Sequence, residues 1–95
     1  MFVISIEYTV GLERVEPLIE EHMSFLDKYY RQGLFVVSGR KKPRTGGVII
    51  VKNTSRSEVE ALIKEDPFHR EGVAEYIITE FMSTRVGEGF ESLAD

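Results

Sequence analysis

The stretch that most limits the fold is Val48 to Val51, "VIIV", which is apolar on both sides of any strand it forms. Successive side chains of a strand point to opposite faces, so a sheet with one face in water shows alternation. "LFVV" (Leu34 to Val37) breaks that alternation too, and Tyr76, Ile77, Ile78 and Phe81 fall on both sides of a strand. Both faces of this sheet must therefore be covered. A chain of 95 residues makes one domain with a single modest core, so it has little material for a second layer beyond its helices.

The elements can be placed from pattern. "FVISIEYT" (Phe2 to Thr9) is β-branched and aromatic and reads as a strand, and Gly11 to Val15 as a turn. Glu16-Pro17 marks a helix start, because the residue before a proline avoids helical geometry. Leu18, Ile19, His22, Phe25, Leu26 and Tyr29 recur at helical spacing to about Gln32, and Gly33 is the stop. "LFVVSG" (Leu34 to Gly39) and "VIIVKN" (Val48 to Asn53) form a hairpin around the loop "RKKPRTGG", with Gly46-Gly47 as turn chemistry. Ser55 or Ser57 caps a helix carrying Val59, Leu62 and Ile63; with Ser55 as the cap, Glu58 completes a capping box. A short helix runs from Pro67 to Gly72, and "AEYIITEFMS" (Ala74 to Ser83) is the last strand.

The order β-α-β-β-α-β predicts an α+β, ferredoxin-like sandwich, with two helices over one face of a four-stranded antiparallel sheet. The other face is then expected to meet a second copy of the chain, giving a homodimer built as a dimeric α/β barrel. Residues 1–84 form the single domain, and residues 85–95 a loose tail anchored by Phe90 and Leu93. No apolar run approaches the roughly 20 residues of a membrane span and no signal peptide is visible, so the expected setting is cytoplasmic, away from membranes. A formal net charge of −4 argues against a nucleic-acid binder. The absence of cysteines removes disulfide and thiolate chemistry.

Strand order brings three distant segments to one end of the domain: His22 near the start of the first helix, the loop Arg40 to Gly47, and Asp66 after the second helix. Each has an ordinary explanation. A histidine on an apolar helix face commonly packs in the core, and Asp66 followed by Pro67 is a strong N-cap. Arg40, Lys41, Lys42 and Arg44 read either as a solvated hairpin tip or as a collar drawing an anion into a cleft. His69 could join His22 and Asp66 as metal ligands, but its polar surroundings favour a surface histidine, and no metal site is expected.

At these residues the chain resembles the YciI-like (YCII-related) family. The resemblance runs through "FVISIEY", "EEHMSFLDKYYRQGLFVVSG", "KPRTGGVIIV" and "EDPFHREGVAEYIITEF". Its most specific elements are the helix histidine, the strand ending in Ser-Gly, the Pro-Arg-x-Gly-Gly loop, and Asp-Pro-Phe followed by Gly and then Glu-Tyr. The resemblance implies a dimeric α/β barrel with an active site centred on a histidine and an aspartate, matching His22 and Asp66. It also implies lyase or isomerase chemistry on small, often ring-shaped substrates. This chain departs at Arg40, where a proline commonly follows Ser-Gly, and in the tail beyond Arg85.

The expected function is a small-molecule enzyme of lyase or isomerase type that uses no cofactor. His22 serves as general acid or base, since an ordinary imidazole with a pKa of about 6.5 exchanges a proton near neutrality. Asp66 orients its ring, Ser38 supplies a hydroxyl, and Arg44 binds an anionic group of the substrate. The alternative is a non-catalytic ligand-binding or accessory dimeric module using the same cleft.

Overall fold

The computed structural model describes residues 1–95. Its strands are β1 (Phe2–Tyr8), β2 (Phe35–Arg40), β3 (Gly46–Val51) and β4 (Ala74–Glu80), and its helices are α1 (Leu12–Val15), α2 (Ile19–Arg31), α3 (Arg56–Ile63) and α4 (Pro67–Arg70). The sheet is antiparallel in the order β2-β3-β1-β4, which is the ferredoxin-like α+β arrangement. No helix is long and apolar enough to cross a membrane.

Several boundaries differ from expectation, each for a physical reason. Leu12 to Val15 is a helical turn, because it buries Val15 completely. A 3-10 turn at Glu16–Leu18 then accommodates Pro17 near its start, and α2 begins only at Ile19. Gly46 and Gly47 belong to β3, paired with Glu7 and Ile6, and are not hairpin turn residues. A Cβ on Gly46 would lie 1.8 Å from the Ile6 carbonyl oxygen, so only glycine allows β1 and β3 to approach this closely. β4 stops at Glu80, whose partner Phe2 is the first residue of β1. Ser55 caps α3 by accepting from the Glu58 amide at 3.3 Å, but the Glu58 carboxylate takes the Thr54 hydroxyl, so the reciprocal capping box is not closed.

The core lies between sheet and helices. Phe2, Ile4 and Ile6 on β1 and Ile49 and Val51 on β3 pack against Phe25, Leu26 and Tyr29 of α2 and Val59, Leu62 and Ile63 of α3. Each such side chain stabilises by roughly 1.5–3 kcal/mol when fully buried. A smaller cluster of Val15, Phe68 and Val73 sits apart at the end where α1 and α4 meet. The opposite sheet face is uncovered within the chain. Register puts Val37, Ile50, Val3 and Thr79 in one outward row and Val48, Ser5 and Ile77 in the next. Val37 and Ile77 are 55% and 65% exposed.

The tail is held by polar bonds. The Ser83 amide donates to Asp95 Oδ2 at 2.7 Å, and the Ser83 hydroxyl donates to the Leu93 carbonyl at 2.9 Å. Leu93 is half-buried as expected, whereas Phe90 is 59% exposed and anchors nothing.

Candidate active site

Asp66 has two local tasks that its sequence context explains. As N-cap of α4 its extended backbone precedes Pro67, and its Oδ1 accepts from the Phe68 amide at 3.1 Å. Gly72, at φ +68°, closes α4 with paired bonds from the Gly72 and Val73 amides to the His69 and Phe68 carbonyls. This short, doubly capped helix fixes where the carboxylate points.

That direction is toward α2. His22 Nδ1 lies 2.8 Å from Asp66 Oδ1, joining residues 44 positions apart. The Asp66 side chain is 0% exposed and that of His22 is 14% exposed. The second carboxylate oxygen accepts from the Tyr76 hydroxyl at 2.6 Å. Burial, the Asp66 charge and this hydrogen bond, in that order, push the Tyr76 phenol far above its ordinary pKa, so it stays a donor. Phe68 stacks on the His22 ring with centroids 4.1 Å apart and planes 12° from parallel. With Nδ1 held by the carboxylate, Nε2 is the ring nitrogen left for a ligand.

His22 borders a cavity of about 290 Å³ between α2 and the inner face of the sheet. Its apolar wall comes from Ile6, Ile19, Met23, Leu26, Ile49 and Phe68. Its polar groups include Tyr8, Ser38, Arg40 and Arg44, and it contains no aspartate or glutamate. The volume is at the small end for ligand sites and matches a single ring with a few substituents.

All four residues expected at the site border this space or support it. Ser38 lines the cavity, with its hydroxyl 2.6 Å from that of Tyr30. Arg44 lines it too, with a loose 3.5 Å contact to Glu16. The cationic collar divides: Arg40 faces the cavity, while Lys41 pairs with Glu7 at 2.8 Å. His69 is not part of the site. It meets the Tyr76 ring edge-on at 5.5 Å, and no three His, Asp or Glu side chains are placed to share a metal ion. Tyr76 and Tyr8 were not foreseen. Tyr76 closes the Asp-Pro-Phe…Glu-Tyr motif, and its parity with Ile78 marks it as inward-facing, which was the available signal.

The YCII-related domain model matches residues 1–82. The chain belongs to the YCII-related family. No curated protein matches it. Among solved structures it is similar to 5-chloro-2-hydroxyhydroquinone dehydrochlorinase from Burkholderia phenoliruptrix, in complex with 2,5-dihydroxybenzoquinone. That likeness has a TM-score of 0.75 at 21% identity, covering 92% of this chain and 95% of the other, and it bears on the fold.

Proposed function

We propose that this YCII-related chain is a small-molecule enzyme of lyase or isomerase type that moves a proton with His22 and Asp66 and uses no cofactor. The observation that carries the reading is the 2.8 Å contact between a completely buried carboxylate and a histidine at a cavity wall. A cap alone has no need of a histidine. Here the carboxylate holds Nδ1, leaves Nε2 to exchange a proton with the ligand, and balances the imidazolium that forms. Ser38 and Arg44 are the proposed substrate contacts. The loose Glu16 contact leaves the Arg44 guanidinium available to grip an anionic group of the substrate with two parallel bonds. The structural neighbour's ligand is a one-ring compound and its name denotes loss of chloride, both in keeping with a small ring and lyase-type chemistry.

The proposed assembly is a homodimer formed through the outward sheet face, a dimeric α/β barrel. Val37, Ile50, Val3, Val48 and Ile77 make that face too apolar to be left in water.

The test is proton exchange. One-ring ketones and enols, halogenated and plain, are incubated with the protein in deuterated water and followed by NMR, with chloride release read in parallel. The expected result is catalysed exchange that falls by about 10²-fold or more in His22→Gln. Tight binding with no exchange in either protein would instead make this an accessory ligand-binding module.

A further inference from the structure

The chain has four tyrosines, and three of them spend their hydroxyl inside the protein. Tyr29 donates to Glu65, Tyr30 pairs with Ser38, and Tyr76 donates to Asp66. Tyr8 is the exception. Its backbone amide bonds Thr45, but its hydroxyl bonds nothing in the protein. No buried side-chain polar atom in the chain lacks a partner, so this unbonded hydroxyl is open to solvent, and Tyr8 lines the cavity.

The position is built rather than incidental. Tyr8 is the last residue of β1, two places beyond inward-facing Ile6. Its ring meets Phe68 edge-on at 5.7 Å, while the face of Phe68 carries His22 at 4.1 Å. One phenylalanine therefore sets both the imidazole and the phenol at the same cavity. Arg44 lines that cavity too, and no carboxylate does, although the chain has 16 acidic residues against 12 basic ones. Burial raises the pKa of the Tyr8 phenol, outweighing the opposing pull of Arg44, and the charge of Asp66 adds to the rise, so the hydroxyl keeps its proton.

We propose that Tyr8 is a second catalytic residue, donating its hydroxyl hydrogen bond to a ligand oxygen that becomes anionic. This rests on the His22–Asp66 reading and narrows the substrate to a one-ring ketone or enol with an acidic hydrogen beside the oxygen-bearing carbon. In the step, His22 Nε2 takes the proton as the C–H bond breaks. The released electron pair forms the carbon–carbon double bond, and the carbonyl π pair moves onto oxygen. The charge thus appears on the oxygen facing Tyr8, while the proton rests on a ring balanced by Asp66. A donor already in place where charge develops stabilises it without reorganising, and a ring filling this largely apolar cavity would displace the water now around the hydroxyl.

Binding of 4-nitrophenolate, as a stand-in for the oxyanion, is compared with that of nitrobenzene, a neutral ring of similar shape, at a pH above the ionisation of 4-nitrophenol and below that of Tyr8. The parent protein is expected to prefer the oxyanion. Tyr8→Phe keeps the ring that touches Phe68, and should weaken 4-nitrophenolate by about tenfold, the loss of one charge-assisted hydrogen bond, while leaving nitrobenzene unchanged. Equal weakening of both probes, an unaltered oxyanion affinity, or no preference in the parent would overturn the proposal. Both proteins retain His22 and the readout is binding, so failure here is distinct from failure of the exchange test.

Discussion

Replacing Asp66 separates a helix cap from a buried junction. Loss of a cap alone costs about 0.5–2 kcal/mol. Asp66, however, joins α2 through His22, α4 through the Phe68 amide and β4 through Tyr76, with its carboxylate wholly buried. Asp66→Ala strips three donors of their acceptor at once, and breaking a buried charged pairing of this kind costs about 3–5 kcal/mol. In a domain of this size that lowers Tm by roughly 15 °C or more. Asp66→Asn retains a cap of equal quality and should cost less, about 1–2 kcal/mol, chiefly for the lost charge. Tyr76→Phe should also cost about 1–2 kcal/mol by leaving Oδ2 without its donor. In the Asp66→Ala background the same change should cost almost nothing, a coupling of at least about 1 kcal/mol. Urea unfolding at one fixed protein concentration, with m unchanged, measures the four variants against the parent. A cost below about 2 kcal/mol for Asp66→Ala, together with additive effects of Tyr76→Phe, would refute the junction and leave a cap.

Three further outcomes are expected. Light scattering at micromolar concentration should give twice the chain mass, and Ile77→Lys on the outward face should halve it; a folded monomer in the parent would sink the barrel, whose interface should bury on the order of 2,000 Å². Gly46→Ala forces a Cβ against the Ile6 carbonyl oxygen and should cost at least about 2 kcal/mol in urea unfolding; a neutral effect would mean the β1–β3 register differs. The Ser83 amide holds the Asp95 carboxyl below its ordinary pKa, so this bond contributes above the unfolded value of about 3.9 and is lost as pH falls through the lowered one. The protection of the Ser83 amide against exchange, relative to its intrinsic rate at each pH, should therefore fall in acid and already be low near neutrality in Asp95→Asn, and an unchanged protection would show the tail held otherwise.

Element order was readable because strands and helices carry different periods, and the Asp66–Pro67 signal locates α4 almost to the residue. The convergence of His22 and Asp66 was also legible, since it follows from strand order alone. What escaped was register. Parity gives the face of Tyr8 and Tyr76, but how far along the sheet each falls depends on the pairings Tyr8–Ala74 and Ile6–Tyr76, which composition does not reveal. Gly46-Gly47 misled for a related reason: two glycines resemble a turn unless the nearness of the neighbouring backbone is known. Phe90 misled because an aromatic in a tail suggests burial, whereas Ser83 and Asp95 hold this tail through hydrogen bonds.

The apolar interior is divided, and the cavity lies on the seam. Ile6, Leu26 and Ile49 on its wall belong to the large cluster, whereas Phe68, Tyr8 and Ile19 belong to or pack on the small one. A ring occupying this space would touch both, acting as the piece of core that the chain itself does not supply. Within the chain Ala74 and Tyr76 already pack on both clusters, and a bound ring would add a further link between them. At a ligand concentration of 100 times Kd that linkage adds about 2.7 kcal/mol of stability. With three buried residues against twelve, the smaller cluster would gain the larger share of its packing from such a ring, and it carries Phe68, on which the imidazole stacks.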